Sequence, residues 1–365
     1  MARLFSVRFL WSAWVLLCVT GGRCGAATWP EETYRGIQYT SMTALRSFFS
    51  FSALKNSRKG YEALGGKDMR FEYRLGHQDV YLNNLKFVLS YPVVKNSAGE
   101  TLISMVDLNK VITPVVRPQY IRNAGNLKCV VIDAGHGGHD AGACNGSVRE
   151  ADLNLALAKR LKKLLLKSGF QVVMTRERDV FLTLQQRVEI ANRYQEAIFV
   201  CIHHNSARSS ASGIETFTLA PQGTTSPFAR TQRDRFLKGN AQDSTNIALA
   251  AAVHSTAILY TKAMDRGIQR ARFSVLCTVK HPAILFEAGF VTNARESRLL
   301  ADPNYQELLA LALHNGIVRY RNVMSTRPGT KTVPAVKKAG TGRTSAKPAT
   351  SISPSRAERL RKGKK

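Results

Sequence analysis

Acidic residues are scarce in this 365-residue sequence: 25 Asp and Glu stand against 53 Lys and Arg, which gives a formal charge of +28. Long hydrophobic runs are also missing except at the extreme N-terminus, and this excludes a polytopic membrane protein. Hydrophobic residues still make up 44% of the chain, so a packed core can form and wholesale disorder is excluded. The length allows about two domains with tails.

Cysteine is sparse and has no metal-binding spacing. Six cysteines are present, none of them in a CxxC pair, so a zinc cluster held by thiolates is not expected. Two lie in the N-terminal segment considered next, and four remain: Cys129, Cys144, Cys201 and Cys277. Four are too few for a disulfide scaffold in a chain of this size. We expect buried free thiols, with one disulfide as the alternative that the sequence leaves open.

Residues 1–27 have the order of a secretory signal peptide. Arg3 and Arg8 precede an apolar stretch, and small residues follow it up to Ala26 and Ala27. The apolar stretch has roughly 12 residues, too few to span a bilayer as a helix. We therefore expect an exported protein, in the periplasm, the cell envelope or outside the cell, with an uncleaved anchor as the alternative.

Residues 323–365 are predicted to form a disordered basic tail. From Arg327 onward the sequence has 12 Lys and Arg and one acid, Glu358. Large apolar residues are almost missing there, so burial cannot offset the entropy cost of ordering the segment. In an exported protein the accessible polyanions are anionic wall polymers and membrane headgroups. The alternative is a solubilising tail without a specific partner.

Residues 28–120 are predicted to form a small β-rich accessory domain. A helical start near Ser41 is followed by short alternating runs at 69–75, 79–82 and 85–91, the pattern of half-buried strands. The stretch from 80 to 112 resembles, at the level of pattern, a small domain related to the N-terminal domain of copper amine oxidases. That domain recurs beside bacterial cell-wall enzymes, and here it carries no metal-binding set. We interpret the block as a wall-attachment domain.

Residues 127–322 alternate between predicted strands and helices. The strands are expected at 128–133, 170–175, 197–202, 214–219 and 283–286, and the helices at 150–168, 184–194, 246–264 and 305–320. This order predicts an α/β fold with a largely parallel sheet flanked by helices. In open sheets of this kind the site lies at the carboxyl ends of the strands. Residues 221–243 are polar and are interpreted as a surface insertion, either a plain loop or a segment beside the site.

Four polar residues stand at these strand and helix ends. His136 follows the first strand in a glycine-rich turn, His203 ends the third strand, Glu287 ends the fifth, and Glu150 opens the first helix. Two histidines and a carboxylate with an open fourth position are typical of a catalytic zinc site. A further carboxylate, Glu287, is suited to serve as general base.

Each of these residues also has a plain structural explanation. The turn at His136 could be only a turn, and Glu150 is favoured at a helix start by the helix dipole. An apolar strand that ends in histidine, as at His203, is often just an edge position. Glu287 is harder to explain in this way, because it follows four apolar residues and an unpaired buried carboxylate is costly.

The same segments make the chain recognisable. It resembles the zinc-dependent N-acetylmuramoyl-L-alanine amidases of the amidase-3 family in VVIDAGHGGHDAGA, IFVCIHHNS, GIETFTL, DRGIQRARFSVL and PAILFEAGFVTN, and in the region that opens with READLNLALAKRL. The likeness covers roughly 127–320, in order. It implies one Zn²⁺ ion held by His136, Glu150 and His203, with Glu287 as the catalytic residue.

Two departures from the family pattern concern the third strand. Cys201 stands where serine is usual, and His204 where a small residue is usual. Because neighbours on a strand point to opposite faces, only one of His203 and His204 is expected to face the metal, and the motif favours His203. Asn205 and His139 are predicted to contact substrate, His139 from the rim.

The resemblance implies hydrolysis of the amide that joins the lactyl group of N-acetylmuramic acid to L-alanine in peptidoglycan, with no covalent intermediate. Two alternatives stay open: a catalytically silent protein that binds peptidoglycan or polyanions on the same fold, and a zinc peptidase acting on the stem peptide. A protein activator is a further partner that the sequence leaves open. Nucleic acid is not expected, because no recognition motif is present.

Overall fold

The structure is a computed structural model that describes residues 29–325, apart from 68, 122–124 and 227–234. The predicted signal peptide and almost all of the predicted basic tail lie outside the described residues. Within the described ranges, no helix combines the length and the apolar character that crossing a membrane requires.

The strands of the described part of the chain are β1 (Glu31–Tyr34), β2 (Ile37–Ser41), β3 (Ser52–Ala53), β4 (Glu62–Gly65), β5 (Arg70–Tyr73), β6 (Asp79–Leu82), β7 (Leu85–Val88), β8 (Val94–Lys95), β9 (Thr101–Ser104), β10 (Cys129–Ala134), β11 (Cys144–Asn145), β12 (Val148–Arg149), β13 (Gln171–Met174), β14 (Ala197–Asn205), β15 (Ile214–Leu219), β16 (Asp265–Ala271) and β17 (Ala283–Phe290). The α-helices are α1 (Met42–Phe49), α2 (Met105–Asp107), α3 (Thr113–Val116), α4 (Glu150–Lys167), α5 (Leu184–Asn192), α6 (Asp243–Thr261), α7 (Ser274–Cys277), α8 (Ala294–Ala301) and α9 (Pro303–Ser325).

One sheet of 11 strands, with the order β13-β10-β14-β17-β15-β16-β7-β6-β5-β4-β3, runs through the described residues. Strands β13, β10, β14 and β17 are mutually parallel, and helices cover both faces. The prediction of an α/β fold with a sheet flanked by helices is therefore confirmed, and in the catalytic part the sheet is largely parallel, with β15 antiparallel to β17.

Residues of β10 show why two helical layers form. Val130 and Ile132 pack into the cluster that contains the apolar faces of α4, α6 and α9. Cys129 and Val131 pack instead into the cluster that contains α5 and α7. Successive side chains of a strand point to opposite faces, so a continuous apolar run requires cover on both sides.

Strand β15 reverses direction relative to β17, with Glu215 opposite Glu287. The carboxyl end of β15, at Leu219, therefore lies toward the amino end of β17, whereas Glu287 lies toward the carboxyl end of β17. The described residues that begin segment 221–243 follow directly from that end of β15. Residues 227–234 lie outside the described residues, and the choice between a plain loop and a segment beside the site stays open.

The N-terminal block continues the same sheet. Strand β7 pairs with β16 in parallel through Phe87 and Ile268, and the Asp265 carboxylate accepts a hydrogen bond from the Lys86 backbone N–H at 2.8 Å. Strands β1, β2, β9 and β8 form a separate four-stranded sheet. Helix α1 begins after Ser41, whose hydroxyl accepts the Ala44 N–H and thus satisfies a backbone donor of the first turn. The predicted boundary at 120 stays a prediction.

All four described cysteines are free, and none forms the single disulfide left open by the sequence. Cys129 and Cys201 are buried, as expected, but Cys144 is exposed. Cys277 is only half-buried. The expectation of burial is wrong for Cys144, because it lies on the short β11–β12 hairpin outside the core.

Candidate active site

Three side chains predicted as metal ligands meet at the carboxyl ends of strands β10 and β14. The Glu150 Oε1 atom lies 3.1 Å from His136 Nε2 and 2.8 Å from His203 Nδ1, and the three donor atoms lie within 4.8 Å of one another. Burial alone would raise the pKa of Glu150, but the hydrogen bonds to the two imidazoles hold it well below its usual range. The carboxylate is thus charged and aimed at both rings, which is the arrangement a divalent cation requires.

Close packing of the loop after β10 brings Glu150 and His136 together. Gly142 has φ +65°, and a Cβ there would lie 2.6 Å from Glu150 Oε2 and 2.7 Å from His136 Cδ2. Glycine is therefore required on two counts, backbone conformation and space. The neighbouring Ala143 N–H donates to Glu150 Oε2 at 2.9 Å, which fixes the second carboxylate oxygen.

Asp140 orients the first of the two histidines and was not predicted from the sequence. Its Oδ2 atom lies 2.8 Å from His136 Nδ1, and its Oδ1 atom accepts the Gly142 N–H at 3.1 Å. A carboxylate on the remote ring nitrogen fixes the tautomer and leaves Nε2 to face the cluster. The available signal was an acid four residues after His136 in the same turn.

Two buried arginines hold the backbone of this loop, and sequence reasoning missed both. Arg187 donates to Asp133 Oδ1, Ala134 O and His136 O, each at 2.8 Å. Arg176 donates to Ala134 O and Gly135 O, also at 2.8 Å. Buried carbonyl groups need such donors, so these side chains set the path of the turn that presents His136.

Glu287 lies on β17, directly opposite His203 on one neighbouring strand and Glu215 on the other. It is buried, and its Oε2 atom has no hydrogen-bond partner among the described residues. Burial, and then the charges of Glu150 and Glu215, raise the pKa of Glu287 well above its usual range. A buried carboxyl group with a raised pKa next to a metal-type cluster is suited to proton transfer.

Of the two neighbouring histidines, only His203 lies in the three-residue group. The His204 ring is buried and bonds through Nδ1 to Asn154 Oδ1 at 2.7 Å. Burial lowers the pKa of His204 to about 4, so the ring is neutral. Cys201 is also a core residue: its Sγ donates to Asp133 Oδ2 at 3.1 Å, and burial raises the pKa of this thiol.

The two residues predicted to contact substrate lie outside the cluster. Asn205 donates through Nδ2 to Glu215 Oε2 at 2.9 Å. His139 is exposed on the loop that carries His136, and its ring packs against the Phe181 ring in a tilted arrangement with centroids 4.2 Å apart.

Comparison with known proteins places this site in a family. The profile of Amidase_3, described as N-acetylmuramoyl-L-alanine amidase, matches residues 130–319. The uncharacterized protein YqiI of Bacillus subtilis is 34% identical over 193 residues, which are 53% of this chain and 84% of that protein. The N-acetylmuramoyl-L-alanine amidase AmiA of Salmonella typhimurium is 30% identical over 226 residues, covering 54% of this chain and 78% of AmiA. Among solved structures, the amidase AmiC2 of Nostoc punctiforme is 35% identical, with 55% of this chain and 99% of that chain covered and a TM-score of 0.46. The chain belongs to the N-acetylmuramoyl-L-alanine amidase family, whose members are peptidoglycan hydrolases.

Proposed function

We propose that this protein is an exported, zinc-dependent amidase that hydrolyses the bond between the lactyl group of N-acetylmuramic acid and L-alanine in peptidoglycan. The observation that carries the proposal is the convergence of two imidazole nitrogens and a charged carboxylate beside the buried carboxyl group of Glu287. The related amidases AmiA and LytC carry this activity in their names.

The donor set fits one zinc ion. Zinc favours imidazole nitrogen and carboxylate oxygen, and catalytic sites use three protein ligands with one position left for water or substrate. Both rings point a nitrogen at Glu150 Oε1, and a zinc ion among these three donors would balance the charge of the largely buried Glu150 carboxylate. When bound, zinc would polarise the scissile carbonyl group and acidify a water molecule.

Glu287 then performs the proton transfers. An amide is cleaved only if water loses a proton and the departing amine gains one. Glu287 accepts the proton of the attacking water and delivers it to the amine of L-alanine. Burial and the neighbouring carboxylates raise the pKa of Glu287, which suits a group that must both take up and release a proton.

The other residues around the site position these groups. Asp140 holds the His136 ring, and Arg187 holds the His136 carbonyl oxygen. His139, on the loop that carries His136, and Phe181, between β13 and α5, form an exposed pair of rings in contact, and we assign them a contact with substrate from the rim. An exposed aromatic pair of this kind offers an apolar surface to a sugar face.

Export is part of the proposal, because peptidoglycan lies outside the cytoplasm. Export is supported by residues 1–27, in which basic residues, an apolar stretch and small residues follow one another as in a secretory signal peptide. Residues 323–365 are assigned a contact with anionic wall polymers or membrane headgroups through their positive charge.

The test is mass analysis of purified muropeptides incubated with the zinc-loaded protein. We expect free stem peptides with an N-terminal L-alanine, lost after Glu287→Gln and retained after Glu189→Gln, a change of an exposed glutamate on α5. The Glu287→Gln variant should still bind zinc, because Glu287 is not a ligand. Cleavage within the stem peptide would establish a peptidase instead, and intact muropeptides that bind the protein would establish a silent binding protein.

A further inference from the structure

A second charged group lies on the same face of the sheet as the site. Direct partners on adjacent strands share a face, and the register runs from His203 to Glu287 and from Glu287 to Glu215. The Glu215 carboxylate is 7% exposed and accepts two hydrogen bonds, from Arg266 Nε at 2.5 Å and from Asn205 Nδ2 at 2.9 Å. Neither contact is needed for the proton transfers proposed above.

A bulge in β16 directs the Arg266 side chain toward Glu215. Asp265 pairs with Ile214, and Gly267 pairs with Glu215, so that Arg266 has no partner in the ladder. A second irregularity, between β14 and β17, lies between His203 and Asn205. Bulges redirect side chains and are common next to active sites.

The Arg266 side chain is held in place, but the terminal amino groups of its guanidinium stay available to a ligand. Its guanidinium lies over the Phe290 ring, 4.8 Å from the centroid. Gly213 packs against its stem, where a Cβ would come 3.1 Å from Arg266 Cγ. Glu215 engages only Nε, and the two terminal amino groups bond to no acceptor among the described residues. The side chain is 34% exposed.

A guanidinium fixed through Nε offers its terminal amino groups as a fork, the geometry that binds a carboxylate. β16 lies two strands from β17, about 10 Å at the usual strand spacing. The Arg266 side chain extends toward β17 over part of that distance. An extended peptide advances about 3.5 Å per residue. The fork is therefore within reach of a group about two residues beyond the scissile amide.

We propose that Arg266 binds a free carboxylate of the stem peptide, within about two residues of the cleaved bond, and so selects peptides in which that group is not amidated. The selection rests on the proposed amidase function, since it names the peptide feature that the same site reads. Glu215, Asn205 and Phe290 are positioning residues for this fork.

The test uses two muropeptides that differ only in whether the residue following L-alanine carries a free carboxylate or an amide. For the full-length, zinc-loaded protein we expect kcat/KM to be on the order of 10- to 100-fold higher for the free carboxylate, the range of a charge-assisted hydrogen bond. Arg266→Gln should lower kcat/KM for that substrate alone and bring the ratio close to one. Arg295→Gln, a change of an exposed arginine on α8, should leave the ratio unchanged.

A purely structural role would give a different result. If Arg266 only neutralises Glu215, Arg266→Gln lowers kcat/KM for both substrates equally, and the proposal is overturned. Because the buried carboxylate left behind could unfold the single variant, the double variant Arg266→Gln with Glu215→Gln is measured as well. It removes both charges together and should also lose the discrimination.

Binding separates this proposal from the proposed function. In the Glu287→Gln background, calorimetric titration should show the same preference for the free carboxylate, and the preference should vanish with Arg266→Gln. If the native protein cleaves neither muropeptide but this binding preference is found, the amidase proposal fails and the carboxylate site stands. Equal affinity for both muropeptides overturns the carboxylate site.

Discussion

Replacing Arg187 by glutamine should destabilise the whole fold by about 3–5 kcal/mol, the usual cost of breaking a buried ion pair by removing one partner. The side chains of Arg187 and Asp133 are 3% and 1% exposed, and their charged atoms lie 2.8 Å apart. Glutamine leaves the Asp133 carboxylate buried without its ion-pair partner. It also removes the donors to the Ala134 and His136 carbonyl groups. Asp133 keeps its bonds from Thr175 and Cys201, which cannot replace the lost positive charge.

Urea unfolding of the full chain, followed by circular dichroism, measures this loss. Arg193→Gln is the matched control, because Arg193 is an exposed arginine at the end of the same helix, and it should change the unfolding free energy by less than about 0.5 kcal/mol. The double variant Arg187→Gln with Asp133→Asn should be more stable than Arg187→Gln alone, since it no longer buries an unpaired charge. A loss below about 1 kcal/mol for Arg187→Gln would show that the pair does not hold the loop.

Three further changes have defined outcomes. Asp140→Asn should weaken zinc affinity about 10- to 100-fold, as for other partners of ligand histidines, in a competition titration with a chelator, and unchanged affinity would remove its orienting role. Gly142→Ala should nearly abolish zinc binding, because a Cβ has no room beside Glu150; equal affinity by the same titration would contradict this. For Glu72, burial alone would raise the pKa, but the hydrogen bonds from Arg70 and Arg58 outweigh it and lower the pKa. A lowered pKa means stability that is present above the usual glutamate pKa and lost as the pH falls through the folded-state value. The stability advantage over Glu72→Gln should therefore shrink on acidification below about pH 4, and an advantage independent of pH would refute the assignment.

The central strands were predictable because their residues are buried on both faces. Apolar runs at 128–133, 197–202 and 283–286 predict β10, β14 and β17, and the structure has these strands. Two of them continue further, to Asn205 and Phe290. The hydrophobic pattern stops at His203 and at Glu287, but backbone pairing does not depend on side-chain polarity. His203 and Glu287 thus lie within their strands, near the end of the ladder, rather than after them.

Strand β16 was missed for a related reason. Its sequence, DRGIQRA, contains three charged residues and no apolar run, so no local pattern indicates a strand. It forms because β15 and β7 offer backbone partners on both sides. The first of these partners is about 50 residues away in sequence and the second about 180, which no window of local residues can reveal.

The residues of the candidate site likewise fall into two groups, those that the sequence pattern locates and those that it does not. His136, Glu150, His203 and Glu287 stand at element ends that the sequence pattern locates, and the structure brings the first three together. The residues that orient them act through contacts between distant segments, as Arg187 does on the loop of His136, 51 residues away. Such contacts depend on the completed fold, and a single sequence carries no local signal for them.

The pairing of β7 with β16 has a consequence for how the chain can be divided. Without residues 29–121, β16 would present a row of open N–H and C=O groups, a template for strand addition from another molecule. In the intact chain the sheet ends instead at β3, which has two residues, both exposed, and is too short to recruit a partner strand. We therefore expect a chain trimmed to its catalytic residues to be more prone to dimerise or aggregate through the uncovered edge of β16 than the intact chain.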